Sequence, residues 1–319
     1  MGKRGGDGAM GGGGDSEIRN PQSAIRNPRS GRWGDGATRR KGHSSLLTPR
    51  PLLTYLLLLA GSVSMLLPFL WMVSTALKQA DKVMAFPPQW IPSPVVWRNF
   101  IEGWSTLPFN LYLKNTCIIT STVIIGVLLT SSLAGYSFSR LRWKGRDVLF
   151  IITLATMMLP AQVTMIPVYL MFRNLGWLNT FKPLTIGAWL GGGAFNIFLM
   201  RQFMLTIPCE LEDAARIDGC TSFGIYRRIM LPLVKPCLAV VAIFTFIGTW
   251  NDFMGPLIYL TTPDKLTLAL GLRFFQGHYG VTLHYLMAVS LIVMAPCLIL
   301  FFLAQKYFIS GIALTGIKG

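Results

Sequence analysis

The sequence predicts an all-α membrane protein: six transmembrane helices in a bundle, with a folded loop on one face. Three observations lead there. Of 319 residues 52% are hydrophobic and 13% charged, with a mean hydropathy of +0.50. An ordinary soluble domain carries about 25% charged residues, so this chain lacks the polar surface to cover a globule in water, and a soluble enzyme is excluded. Six long apolar runs approach or exceed the roughly 20 residues that a helix needs to cross hydrocarbon. Finally, the Lys and Arg residues sort by side of the membrane. A β-barrel would show short alternating segments instead.

Residues 1–45 are Gly-rich, lack apolar periodicity and repeat Ile-Arg-Asn-Pro at Ile18 to Pro21 and Ile25 to Pro28. Such a stretch cannot bury enough surface to offset its ordering entropy, so a disordered cytoplasmic tail is expected, followed by a membrane domain over 46–319. The apolar run that opens near Leu52 is too long for a signal-peptide core. Five cysteines (Cys117, Cys209, Cys220, Cys237, Cys297) form no C-x-x-C pair. They read as small buried hydrophobes rather than a disulfide framework or a zinc site.

The expected spans are Leu52–Leu77, Leu111–Phe138, Val148–Phe172, Leu184–Phe203, Leu238–Leu260 and Leu286–Phe302. With the N-terminus inside, inner segments hold 21 Lys and Arg and outer segments hold 8, the bias of the positive-inside rule. The strongest inner signal is Arg140, Arg142, Lys144 and Arg146. Both termini are therefore placed in the cytoplasm of a multi-pass inner-membrane protein. Positive charge spread by sidedness, not clustered on a soluble domain, points to membrane lipid and away from nucleic acid.

In the second span Thr122, Gly126, Thr130 and Ala134 recur every four residues, a small-residue stripe that reads as close helix packing. Gly191 to Gly193 read the same way. Pro68, Pro160, Pro167 and Pro296 lie inside spans and should bend them.

The inner loop over 205–236 is too polar to span and too patterned to be a linker. Pro208 can open a helix, good helix formers run from Cys209 to Asp218, and Gly219 can close it in a left-handed cap. Thr221 or Ser222 can cap a second short helix running to Met230, with Pro232 as its stop. The expected fold is helix, tight turn, helix. Glu212 and Arg216 stand at i,i+4 spacing and can pair. Glu210, Glu212, Asp213 and Asp218 leave the first helix acidic on a basic face, which favours a protein partner over anionic lipid.

This loop resembles the EAA loop of ABC-importer permeases: Asp213-Ala214-Ala215, three residues, Gly219, nine residues, Ile229, Met230, Leu231-Pro232. Asp213 stands where the family has Glu, and neighbouring Glu212 is a candidate substitute. Phe195 to Phe203, Trp250-Asn251-Asp252-Phe253, Phe275-Gln276-Gly277 and Gly316-Ile317-Lys318-Gly319 are similar to the carbohydrate-uptake branch, in particular its smaller six-span, maltose-type partner. The resemblance covers about residues 50–319. It implies the six-helix type I importer permease fold, with Glu212, Asp213, Ala214, Ala215, Asp218, Gly219, Ile229, Leu231 and Pro232 forming an ATPase-coupling loop. It also implies a homologous second permease, two ATP-binding subunits and an extracytoplasmic solute-binding protein. The chain has no G-x-x-x-x-G-K-[ST] phosphate loop, so it is expected to be no enzyme, with ATP and Mg held by the partner ATPase. The tail over 305–319 resembles the family's short tail at the nucleotide-binding interface.

Asp252 is the acidic residue set deepest in a span, where a charge costs at least ~2.5 kcal/mol unless paired or hydrated. With Trp250 and Asn251 it makes a polar, stacking-capable patch of the kind sugars favour. A structural partner, a pathway-lining role and a proton relay compete as readings. His278 and His284, beside Tyr279 and Tyr285, read as solvated outer-loop residues. The function implied is half of an ATP-driven, binding-protein-dependent path for a sugar or sugar-like solute. The alternatives are an ion-coupled secondary transporter and a membrane scaffold.

Overall fold

The computed structural model describes residues 49–276 and 282–315, and within these it is helical with no strand. The expectations for the tail 1–45, for His278, Tyr279 and Gly277, and for the terminal Gly316 to Gly319 lie outside the described residues. Contacts divide the chain into two units, residues 1–58 and 59–319. The described part of the first is the opening of helix α1, Pro49–Ala76. Every α1 side chain from Leu52 to Pro68 is exposed. A helix apolar on all sides needs lipid, or another helix, around it.

The second unit is built around α3, Phe109–Arg140, at 32 residues far longer than one crossing requires. Before it, α2 (Arg98–Thr106) packs on the last long helix, α14 (Leu283–Thr315). α2 also ties down the end of α1, since Asn99 donates to the carbonyls of Ala76 and Lys78 at 2.9 and 2.8 Å. Lys78 itself is buried with its ammonium 4.0 Å from the centre of the Trp71 ring. His284 is buried at the start of α14, ring to ring with Tyr285 at 4.1 Å, and Tyr285 donates to Glu102 at 2.9 Å. His284 is thus not a solvated loop residue, because α14 begins one residue before it and packs on α2. α14 also absorbs most of the expected tail, continuing to Thr315.

Among the described residues four helices are long and apolar enough to cross a membrane, and two bent pairs bring the candidates to six. The expected third span is one of those pairs, bent as its prolines foretold: α4 (Arg146–Ala155), a 3-10 turn, then α5 (Ala161–Asn174), at 100°. Pro160 is the cause. It has no N–H to continue the ladder, and it drives Leu159 into extended backbone, ψ 117°. Pro68, Pro167 and Pro296 stay inside continuous helices.

The fourth span is α6 (Lys182–Trp189) and α7 (Ala194–Leu205), interrupted at Gly191 to Gly193, all at positive φ. The small-residue stripe explains this corner. Thr130 donates to the Ala188 carbonyl at 2.8 Å. A Cβ on Gly126 would meet the Trp189 indole at 2.9 Å, and one on Gly192 would meet Thr130 Oγ1 at 2.9 Å. Packing is what the stripe does.

Candidate functional site

The loop after α7 folds as helix, tight turn, helix. α8 spans Glu210–Ile217, with Glu210, Glu212 and Asp213 in its first turn, where carboxylates complement the helix dipole. It ends as expected at Gly219, φ +80°. There Cys220 N–H bonds Ala215 O at 2.9 Å and Gly219 N–H bonds Arg216 O at 3.0 Å, so orphan carbonyls are satisfied by a complete Schellman motif. Thr221 caps α9 (Ser222–Ile225), accepting from Gly224 N–H at 3.1 Å.

Pro232 does not stop this helix. The chain widens into a π turn over Tyr226–Met230 and continues as α10 (Leu231–Leu233). Leu231 N–H reaches back to Tyr226 O, so Pro232 falls in the first turn after the π segment, where its missing N–H is tolerated. The break comes at Val234, where α11 (Lys235–Trp250) leaves at 75°.

The loop has two faces. Ala215, Ile225, Tyr226 and Met230 are buried in one cluster with Tyr136, Met200 and Met204, while Ile229 and Leu231 pack partly against it. Tyr226 Oη also hydrogen-bonds Ser132 on α3 at 2.8 Å. Glu212 turns inward as well, which removes it as the exposed stand-in for the family's Glu. Its carboxylate lies 3.2 Å from Arg140 Nε, both side chains 5% exposed, and 3.6 Å from Arg216. Arg140 also donates to the carbonyls of Met204 and Ile207 and to Cys209 Sγ at 3.0 Å. The end of α3 thus grips the end of α7 and the start of α8 through one guanidinium. Asp213, Ala214, Asp218, Gly219 and Pro232 face outward. They share that surface with Ile217, 86% exposed, and Phe223, 63% exposed. Neither apolar residue was singled out in the sequence, although Ile217 follows Asp213 and Ala214 at i+4 and i+3.

The Trp250–Asp252 triplet splits three ways. Trp250 is buried, stacked on Phe246 at 5.1 Å, with its indole N–H on the Val293 carbonyl at 3.0 Å. It therefore packs α11 against α14. Asn251 is exposed and donates to the Ile247 carbonyl at 2.8 Å. Asp252 lies in the break before α12 (Met254–Tyr259), its Oδ1 accepting from Gly255 N–H at 3.1 Å. Beside it opens a cavity of about 130 Å³ lined by Thr116, Thr249 and Thr267 among others. The Thr267 hydroxyl is buried and unpartnered. The cysteines also differ from expectation: Cys237 is buried, but Cys117 and Cys209 are exposed. A thiol facing lipid or receiving a guanidinium needs no burial.

Comparison with known proteins follows this geometry. Residues 123–313 match the family model described as binding-protein-dependent transport system inner membrane component. The probable ABC transporter permease protein YurM of Bacillus subtilis is 36% identical over 79% of this chain and 83% of its own length. The arabinooligosaccharides transport system permease protein AraQ of Halalkalibacterium halodurans is 36% identical over 72% of this chain and 81% of its own. Among solved structures, a bacterial ABC transporter involved in the import of alginate superposes with a TM-score of 0.72 at 25% identity, covering 81% of this chain and 95% of that one. The described loop, the broken helices and these matches agree: this chain belongs to the binding-protein-dependent transport system inner membrane components, as a membrane-embedded permease of the ABC importer kind.

Proposed function

We propose that this chain forms half of the translocation path of a sugar or sugar-like solute, beside a second, homologous permease. Two ATP-binding subunits, which hold ATP and Mg, drive the pair, and an extracytoplasmic solute-binding protein delivers the cargo. The observation that carries this reading is the two-faced loop. A loop whose inner side is fused to the bundle core, and whose outer side presents Asp213, Ala214 and Ile217 on α8 and Phe223 on α9, is built to take a push from a partner. Exposed apolar side chains rimmed by charge mark protein contact surfaces. A closing motion of the ATPase pair would pass from α8 through Arg140 and Glu212 to α3.

Several relatives support the solute class by name, including the trehalose/maltose permease protein MalG of Thermococcus litoralis, 32% identical over 83% of this chain. We place both termini in the cytoplasm, the side that the Lys and Arg bias marks. Asn251 and Asp252 remain the candidates for lining the path. The test is solute uptake by the complete importer in vesicles. Uptake should require ATP on the loop side and survive an ionophore. Uptake that ignores ATP and collapses with the ion gradient would replace this reading with a secondary transporter, and no flux under either condition would leave a scaffold.

A further inference from the structure

Where the loop rejoins the bundle, a groove of about 330 Å³ lies between α3 and the start of α11, lined by Leu128, Leu129, Tyr226, Leu231, Pro232 and Leu238. Its walls are almost wholly apolar. The polar pair in it, Ser132 and Tyr226, is satisfied internally by its own hydrogen bond at 2.8 Å. The lip is the opposite. Arg227 and Lys235 border the groove and are exposed, with exposed Arg228 beside them. No carboxylate among the described residues forms an ion pair with any of the three.

Lys235 is also the first residue of α11, so the cations sit where that helix enters the hydrocarbon and the groove runs inward from them. An apolar slot ending in unpaired positive charge is complementary to an amphiphile with an anionic head. A transmembrane helix seated there would cover two cations without neutralising them, and an uncompensated buried charge costs several kcal/mol. A zwitterionic head would set its own cation against the guanidinium.

We infer that this groove holds an anionic phospholipid of the loop-side leaflet. Its phosphate bridges Arg227 and Lys235, and one acyl chain lies along Leu128, Leu129 and Leu238. Basic pockets between helices on the cytoplasmic side suit such head groups.

The test is native mass spectrometry of the complete importer in mild detergent, supplied with phosphatidylglycerol or phosphatidylcholine. Phosphatidylglycerol should stay bound and phosphatidylcholine should not. The double variant Arg227→Gln/Lys235→Gln alters exposed side chains alone and should weaken phosphatidylglycerol binding about 30-fold, roughly fivefold per lost surface cation. Leu129→Trp, which fills the slot at unchanged charge, should also displace the lipid. Equal retention in the double variant overturns the site, and so does equal retention in Leu129→Trp, since the head group alone would then be held. A photo-reactive group at Leu129 should label lipid; labelling of the second permease instead would overturn the inference.

Discussion

The two candidate functional regions are both interrupted helices, but they are finished differently. At the loop, the helix ends are closed by backbone and side-chain caps, although the Arg140–Glu212 contact is an ion pair without hydrogen-bond geometry and the buried Tyr136 hydroxyl has no partner. The Gly219 turn has its full set of backbone bonds, Thr221 caps the next helix, and Arg140 occupies itself with Glu212 and the end of α7. At the α11–α12 break, Asp252 holds one amide, a cavity of about 130 Å³ remains, and the Thr267 hydroxyl has no partner. A force-bearing joint must be stiff, since slack would dissipate the motion it carries. A segment that solute passes can be under-filled, because its polar atoms meet water or cargo in turn. On the proposed reading, the closed region is the lever and the under-filled one lies on the solute's path.

That contrast ranks the consequences of mutation. The largest belongs to the clamp. Arg140→Ala leaves the buried Glu212 carboxylate with the 3.6 Å Arg216 contact alone, and Glu212→Ala leaves buried Arg140 without a carboxylate; each should cost up to about 3–5 kcal/mol, read as a fall in melting temperature of the purified importer together with loss of uptake. The pair Arg140→Met/Glu212→Leu should recover much of the stability, because two well-packed apolar side chains leave no charge exposed to the low dielectric. If the single variants melt like the parent, the joint is not stiff at this point.

Next comes the turn. Gly219→Val forces a β-branched residue to φ +80°, a cost of about 1–2 kcal/mol, although a Cβ there meets nothing within 4 Å. The strain is therefore local, and membrane abundance should hold while uptake falls. Gly219→Ala should do less. Wild-type uptake by the valine variant at equal abundance would show that the turn is not part of the lever.

The under-filled end should respond weakly in stability. Asp252→Ala removes one side-chain hydrogen bond to the Gly255 amide, typically about 1 kcal/mol. Asp252→Asn keeps an acceptor oxygen for Gly255 and should melt like the parent while changing solute transport. Thr267→Val removes an unpartnered hydroxyl and should move stability by less than about 0.5 kcal/mol. A drop as large as that of the clamp variants, in either case, would erase the contrast between the two regions.

Local chemistry was legible in the sequence and distant pairing was not. Gly219 and Thr221 announced their caps because a cap is decided within four or five residues. The stripe at Gly126 and Thr130 announced a packing face for the same reason. Arg140 looked like one of four positive-inside charges, yet its guanidinium is spent on atoms as far along the chain as Glu212, and no window of sequence contains both. Three consecutive residues at 250–252 read as one patch, but α11 ends at Trp250, and past a helix end neighbours no longer share a face. Pro160 gave a bend, while the 100° angle depends on the 3-10 turn that precedes it.

The measurement that bears most directly on the lever uses its outer face. In vesicles holding the complete importer, ATP hydrolysis and solute uptake would be followed together for the parent and for Ile217→Asp, whose side chain is 86% exposed in this chain and so is not needed for folding. Coupling through α8 predicts normal abundance, hydrolysis that no longer responds to loaded binding protein, and uptake reduced to background. Parental hydrolysis and parental uptake in that variant would contradict it.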